Sequence, residues 1–138
     1  MLNRTLGSLA TALLVLSSAA WAQSESGGNE PVADGRKLSQ WVADLKGQAP
    51  QTRNAAAYEI SGMGPAAAAA VPALIDALDD PEPSVRFPVT VALAEIGPGA
   101  KAAVPKLKKM VDEEINDEVA AAARRALRRI APQELTEQ

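Results

Sequence analysis

Residues 64–96 read GPAAAAAVPALIDALDDPEPSVRFPVTVALAEI, and this segment is the strongest indication of the fold. Its opening segment returns at residues 97–107 as GPGAKAAVPKL, with each matching residue 33 positions further along the chain. Similarity at a fixed period of this length is the signature of stacked structural repeats. The chain is therefore expected to form a repeat array and not an ordinary helical bundle.

Each repeat unit predicts a pair of helices. Val71, Leu74 and Leu78 recur at the spacing of one helical face. The acidic, proline-containing segment 79–83 interrupts that helix, and a second apolar stripe follows over residues 85–96. Because such a pair buries its apolar faces only against its neighbours, we expect the units to share one core.

Three such units account for the folded part of the chain. They span about residues 36–63, 64–96 and 97–131, and the last carries one extra residue in its middle turn. Aromatic residues make up only 3% of the chain, so the apolar mass is mostly Ala, Leu and Val, which suits closely packed helices. The expected fold is an all-α, right-handed α-solenoid of three helical hairpins over residues 36–132, followed by a C-terminal tail at 133–138.

These units resemble HEAT repeats, in the short bacterial form named after phycobilisome lyases. The resemblance covers about residues 36–132 and rests on Val71-Pro72, Leu74-Ile75, Leu78, Asp80-Pro81, Val85-Arg86, Ala92-Leu93 and Ile96-Gly97. It implies three HEAT-like hairpins that act as a non-catalytic scaffold for protein–protein interaction. The same architecture serves many unrelated proteins, so the resemblance alone does not name the partner.

The composition excludes several kinds of chemistry. The chain has no Cys and no His, which removes thiol nucleophiles, imidazole bases and metal sites built on these residues. Acidic clusters at 79–82 and 112–118 lack the alternating spacing of a calcium loop and suit inter-helix turns. The net charge of −3 argues against a nucleic-acid binder. We therefore expect no enzyme, no cofactor, no metal and no nucleic-acid partner.

Residues 1–22 follow the pattern of a secretory signal peptide. Arg4 precedes an apolar run over residues 6–18, and Ala20-Trp21-Ala22 forms a small-x-small cleavage site. The run is short for a helix that stays in the membrane. We expect cleavage after Ala22 and an exported protein, periplasmic or secreted, that keeps no membrane contact. The polar, Gly- and Ser-containing segment 23–35 is expected to be a disordered leader.

The second helix of each unit is expected to line the concave side of the solenoid, where a partner protein would bind. Aromatic residues and arginine are the side chains that binding hot spots favour. The candidate partner-binding residues are Asn54, Tyr58, Phe87, Thr90, Val91, Arg124, Arg125 and Arg128. The alternative for the two rings is that they pack within the repeats.

The arginines of the last helix leave two further functions open. They could hold a small anion such as a phosphate, or they could be the solvated cap that a terminal repeat requires. A structural subunit that stacks end to end through its terminal repeats is the other alternative. The oligomeric state is left open by these observations.

A ladder of ion pairs is predicted between consecutive units. Units one and two carry an arginine in the first turn of their second helix, where unit three has alanine. Units two and three carry acids in the turn before it, where unit one has Lys46-Gly47. If each arginine pairs with the acidic turn of the next unit, both arginines and both acidic turns have a partner. The expected pairs join Arg53 to Asp79 or Asp80, and Arg86 to Asp112 or Glu113, as exposed contacts that set the register of the repeats.

Overall fold

The computed structural model describes residues 29–135, which fold into three helical pairs preceded by a short β-hairpin. The strands are β1 (Val32–Ala33) and β2 (Arg36–Lys37). The helices are α1 (Leu38–Asp44), α2 (Pro50–Gly62), α3 (Val71–Ala77), α4 (Pro83–Ile96), α5 (Val104–Glu113) and α6 (Asp117–Ile130). Three 3-10 segments follow the helical pairs, at Gly64–Ala70, Gly97–Ala103 and Pro132–Leu135. The all-α repeat solenoid that the period predicts is confirmed.

Proline and glycine determine where the helices begin and end. Pro50 and Pro83 are the first residues of α2 and α4, where the missing amide hydrogen has no partner to lose. Gly64 and Gly97 adopt positive φ angles of 55° and 73° at the ends of α2 and α4. Because that conformation strains residues with a Cβ atom, these two glycines turn the chain into the next unit.

The helices form two layers. The inner helices α2, α4 and α6 pack side by side and make the most extensive contacts in the described part of the chain. The outer helices α1, α3 and α5 each pack on the inner helix of the same unit. The outer layer is continued by the 3-10 segments Gly64–Ala70 and Gly97–Ala103, which contact the outer helix of the preceding unit.

The core is built from equivalent positions of successive units. Ile60, Leu93 and Leu127 occupy the same position of the three inner helices and are almost completely buried. Leu74 and Leu107 do the same in the outer helices of units two and three. Alanines that are fully buried beside them permit close helix approach, and they are Ala56, Ala57, Ala67, Ala70, Ala92, Ala100, Ala103, Ala123 and Ala126.

The N-terminal end of the solenoid is closed by the β-hairpin. Asp34 and Gly35 both have positive φ, as a two-residue hairpin turn requires. Trp41 of α1 is buried beneath the hairpin, and its Nε1 donates to the Ala33 carbonyl at 3.1 Å. The Arg36 guanidinium lies over the indole, 3.9 Å from its centre, and pairs with Asp44 at 2.8 Å.

The expectation of a disordered leader over residues 23–35 is therefore wrong for its second part. Residues 32–35 belong to the hairpin, and Glu30 and Pro31 accept hydrogen bonds from the start of α1. The segment is ordered because it removes the apolar surface of the Trp41 indole from water. Residues 23–28 and the predicted signal peptide at 1–22 lie outside the described residues.

The C-terminal end begins like a fourth unit. Ala131-Pro132 follows α6 as Gly97-Pro98 follows α4, and the 3-10 segment Pro132–Leu135 contacts α6. Glu134 pairs with Lys108 of α5 at 2.6 Å. Residues 133–135 of the expected tail thus pack on the last unit. Across residues 29–135, no helix is both long enough and apolar enough to cross a membrane.

Candidate functional site

A groove of about 360 Å³ lies along the inner helices, where the N-terminal ends of α4 and α6 meet the middle of α2. We call it the inner groove. Three of the predicted partner-binding residues, Asn54, Tyr58 and Phe87, line it together. Its other lining residues are Pro83, Ser84, Asn116, Glu118 and Val119. The repeat geometry thus gathers into one site residues that lie far apart in the sequence.

The two aromatic rings contribute differently to the inner groove. Tyr58 is exposed over 48% of its surface, whereas most large hydrophobic side chains of residues 29–135 are buried or half-buried. Phe87 is half-buried and packs against the core. Phe87 therefore combines both roles that the sequence left open, and Tyr58 is the more accessible ring.

Asn54 has a structural partner as well as a place in the groove. Its side-chain amide donates to the Ser84 carbonyl at 2.5 Å. In a regular helix that carbonyl would accept from the amide of residue 88, but Pro88 has no amide hydrogen. Asn54 of unit one thus satisfies a carbonyl that the proline of unit two leaves without its helical donor.

The assignment of Thr90 to the partner surface is wrong. Thr90 is fully buried, and its hydroxyl donates to the Arg86 carbonyl at 2.8 Å. The equivalent residue of unit one, Ala57, is also fully buried. This position of an inner helix is covered by the next inner helix, which the helical period alone does not reveal. Val91, one residue later, is half-buried.

The three arginines predicted for the partner surface do not reach the inner groove. Arg124, Arg125 and Arg128 are exposed on α6 and are not among the residues that line it. Arg124 stands where unit two has the buried Thr90, so it lies on the terminal face of the array. The structure therefore separates the predicted surface into a groove and an end face.

The first ion pair of the ladder joins Arg53 to Asp80. Arg53 donates from Nε and Nη2 to the two carboxylate oxygens of Asp80, at 2.6 and 3.0 Å. Its Nη1 donates to the carbonyls of Gly47 and Gln48, both at 2.9 Å. One guanidinium thus joins the turn of its own unit to the turn of the next.

The second ion pair joins Arg86 to Glu114, and the predicted assignment to Asp112 or Glu113 is wrong. Arg86 donates from Nε and Nη2 to the Glu114 carboxylate, both at 2.8 Å. Asp112 forms no ion pair within residues 29–135, and Glu113 lies 3.7 Å from Lys109. The extra residue of unit three lies before the acid, because α5 extends to Glu113 while α3 ends at Ala77.

Asp79, the other acid offered for the first pair, contacts a different residue. It pairs with Lys106 of the next outer helix at 2.5 Å and remains largely exposed. The expectation of exposed arginine pairs is also wrong. The side chains of Arg53 and Asp80 are 13% and 6% exposed, and those of Arg86 and Glu114 are 16% and 8% exposed. Charge-assisted hydrogen bonds contribute more in such partly buried positions than at an open surface.

The carboxyl groups of the two pairs respond to their surroundings in the same direction. Burial raises the pKa of Asp80, but hydrogen bonds from Arg53 and the Glu82 amide outweigh it, and the pKa lies below its ordinary value. For Glu114, the hydrogen bonds from Arg86 lower the pKa against the opposing effect of burial. Both carboxylates are therefore held ionised in the folded state.

Sequence reasoning missed two polar residues that line the inner groove, Asn116 and Glu118. Glu118 follows Asn116, whose side chain accepts from the Val119 amide at 3.0 Å and caps α6. The acids at 117 and 118 suit the N-terminal end of a helix, and that local explanation concealed the position of Glu118 at the groove. Within residues 29–135, no group of acidic side chains has the arrangement to hold a metal ion.

A comparison with protein families supports the same architecture. A family model described as HEAT repeats matches residues 38–128, more than half of the chain, and the chain belongs to the HEAT repeat family. HEAT repeats are in general scaffolds for protein interaction. Searches of the curated proteins and of the solved structures found no match.

Proposed function

We propose that this protein is a non-catalytic scaffold that binds another protein through the inner groove. The observation that carries the proposal is the convergence of Tyr58 and Phe87, from two different units, on one cavity. Tyrosine is enriched in binding hot spots because it offers a large apolar area and a hydroxyl at little entropic cost.

The size of the inner groove supports a protein side chain as its occupant. At about 360 Å³, its volume lies near the lower limit for small-molecule sites, which fall at roughly 300–1,000 Å³. The lining combines the rings of Tyr58 and Phe87 with the polar side chains of Asn116 and Glu118. Protein interfaces contain the same mixture of aromatic and polar groups. The inner helices extend the available surface on either side.

The lining residues also support a non-catalytic role. They provide one carboxylate, one phenol, one hydroxyl and two amides, and none of them is an imidazole or a thiol. General acid–base or nucleophilic catalysis requires paired groups that activate each other. We therefore assign this groove to binding.

We further propose that the protein acts outside the cytosol. This proposal rests on the apolar run at residues 6–18 and the Ala20-Trp21-Ala22 cleavage pattern. The mass of the protein recovered from its native envelope should lack residues 1–22. Recovery of the full-length chain from the cytosol would contradict export without affecting the binding proposal.

The binding proposal is tested by capture from an envelope extract with the purified full chain as bait. Tyr58→Ala should weaken capture of the main partner by about tenfold or more, because it removes a hot-spot ring. Its melting temperature should stay within a few degrees, since Tyr58 is largely exposed. Ile115→Ala is the matched control, because Ile115 is 95% exposed and lies outside the groove.

Equal capture by the wild type, Tyr58→Ala and Ile115→Ala would overturn the assignment of the groove. A photocrosslinking residue at position 58 gives an independent measurement, since it should label the partner while the same residue at 115 should not. The alternative of a small-anion binder concerns the arginines at the C-terminal end of the solenoid, and the alternative of a stacking subunit concerns both terminal repeats. The experiment below tests both.

A further inference from the structure

We infer that the C-terminal end face of the solenoid, formed by Arg124 and Arg128 of α6 with Arg125 at its concave border, docks an acidic helix of a partner protein. This surface lies outside the inner groove and is independent of the function proposed for it. The inference rests on three observations: the geometry of the face, its unpaired charge, and its contrast with the opposite end.

The geometry of the end face is that of a helix-binding seam. Ala57 and Thr90 are fully buried because the next inner helix covers them, and Arg124 occupies the same position in α6. Ala94 of α4 is 4% exposed, whereas Arg128 at the equivalent position is exposed. Since α2 packs on α4 and α4 on α6 through this seam, α6 presents the same backbone surface, and no helix within residues 29–135 covers it.

The charge of the end face has no ion-pair partner within residues 29–135. Arg129 pairs with Glu95 at 2.6 Å, but Arg124, Arg125 and Arg128 form no ion pair with any residue of 29–135. Like charges one turn apart on a helix repel each other. A terminal face that only had to remain solvated would favour mixed signs, and the chain as a whole is acidic with a net charge of −3. The unpaired arginines therefore favour an anionic partner.

The N-terminal end shows how this fold covers a terminal face with its own chain. There the β-hairpin buries Trp41, and Arg36 is satisfied by Asp44 and by the indole. At the other end, the 3-10 segment Pro132–Leu135 starts a fourth unit and contacts α6, and Glu134 neutralises Lys108 of the outer layer. The three arginines of the inner layer remain uncovered by the described residues.

These observations specify the occupant. The seam accepts a helix, because helices occupy it at both internal junctions. The arginines at i, i+1 and i+4 select carboxylates, which guanidinium groups bind in a bidentate manner. The exposed Ala121, one turn before Arg124, permits a close approach of the docking helix. The expected partner is a helix with Glu or Asp on one face, at a spacing of about four residues.

The test uses the full chain and a labelled helical peptide of about 20 residues, with glutamates at i, i+4 and i+8 on one face. A scrambled peptide of the same composition spreads the glutamates around the helix. We expect the patterned peptide to bind at least about tenfold more tightly than the scrambled one. Arg124→Glu combined with Arg128→Glu should abolish that preference, and Arg124→Gln combined with Arg128→Gln should weaken it at lower risk to folding.

Matched controls separate this surface from general electrostatics and from the inner groove. Lys37→Glu combined with Lys46→Glu reverses the same number of exposed charges elsewhere and should leave the preference intact. Tyr58→Ala should also leave it intact, so failure of this inference and failure of the proposed function give different results. Equal binding of the two peptides, or equal loss in the lysine control, would overturn the inference.

Two further outcomes identify other occupants. Inorganic phosphate that raises the melting temperature through the same arginines, with no peptide preference, would show a small-anion site and overturn the inference. A mass in solution that rises with concentration and returns to the monomer value in the charge-reversed variant would show a second copy of this chain. That result would also overturn it.

Discussion

Both junctions between repeat units contain an arginine paired with a carboxylate of the next unit. The acid differs between the junction of units one and two and the junction of units two and three. In each, an arginine at the fourth residue of an inner helix donates to two carbonyls of its own turn and to a carboxylate of the next. The first junction uses Asp80 and the second uses Glu114. The ion pair between consecutive units therefore requires a carboxylate at a given position in space. The residue that supplies this carboxylate can differ between units.

The two junctions differ in their remaining contacts. The first adds the Asn54 amide, which satisfies the Ser84 carbonyl near the start of α4. The second adds the pair of Glu95 with Arg129 near the end of α4. Helix α4 therefore takes part in both junctions, with the Ser84 carbonyl and Arg86 near its start and Glu95 near its end. Removing contacts one at a time should reveal how far the two junctions are independent.

The largest effect is expected at the helix that both junctions share. Leu93 of α4 is fully buried, and Leu93→Ala should lower the free energy of unfolding by about 3 kcal/mol through lost burial and a residual cavity. Denaturant unfolding followed by circular dichroism measures it. The loss should appear in one cooperative transition, because neither end unit can bury its faces alone. Two separate transitions would show that the junctions unfold independently.

The next effect compares the two arginines. Arg86→Met should cost about 2 kcal/mol, because it leaves the partly buried Glu114 without its charged donor. Arg53→Met should cost less, because the positive charge of Arg86 still acts on Asp80. Thermal unfolding of both variants gives the ranking. A larger loss for Arg53→Met would show that the first junction is the dominant one.

The pH dependence of stability should follow from the lowered pKa values of Asp80 and Glu114. Ionised carboxylates with lowered pKa values stabilise the fold above their ordinary pKa, and this contribution is lost as the pH falls through the folded-state values. The free energy of unfolding should therefore decline below about pH 4.5. Asp80→Asn combined with Glu114→Gln should be less stable at pH 7 and decline less steeply. Parallel profiles for the variant and the wild type would contradict this origin.

The smallest effect concerns the contact found only at the first junction. Asn54→Ala should cost about 1 kcal/mol, because the Ser84 carbonyl loses its donor. In a Pro88→Ala background the same substitution should cost less, since residue 88 then offers its own amide to Ser84. A double-mutant cycle by denaturant unfolding isolates this coupling. Strict additivity would show that Asn54 does not replace the missing helical donor.

The β-hairpin at residues 32–37 has a local sequence signal at its turn. The Asp34-Gly35 pair is a strong two-residue hairpin signal, and both residues have positive φ. A general reading of the segment as polar and Gly-rich concealed it. The apolar stripe of α1 predicts that Trp41 is buried. The β-hairpin that covers it has no counterpart in the other repeat units, so the repeat pattern does not predict it.

The Arg86 pair shows a limit of a different kind. The offset of the repeats placed the arginine and the following acidic segment correctly, but residues 112–118 contain five acids that could pair with the arginine. Helix α5 runs further than α3, so Glu114 reaches the position that Asp80 holds in unit two. The length of the last turn of a short helix depends on packing energies too small to read from local preferences.

The sequence by itself determined the class of fold, the number of units and the start and end of most helices. These features follow from a regular spacing of apolar residues and from proline and glycine, which act through nearest neighbours along the chain. The tertiary structure was needed to show which inner-helix positions are covered and which acid pairs with each arginine. It was also needed to show that Tyr58, Phe87 and Glu118 line one groove. Those relations join residues of different units, and they depend on how successive helices stack, which no local pattern encodes.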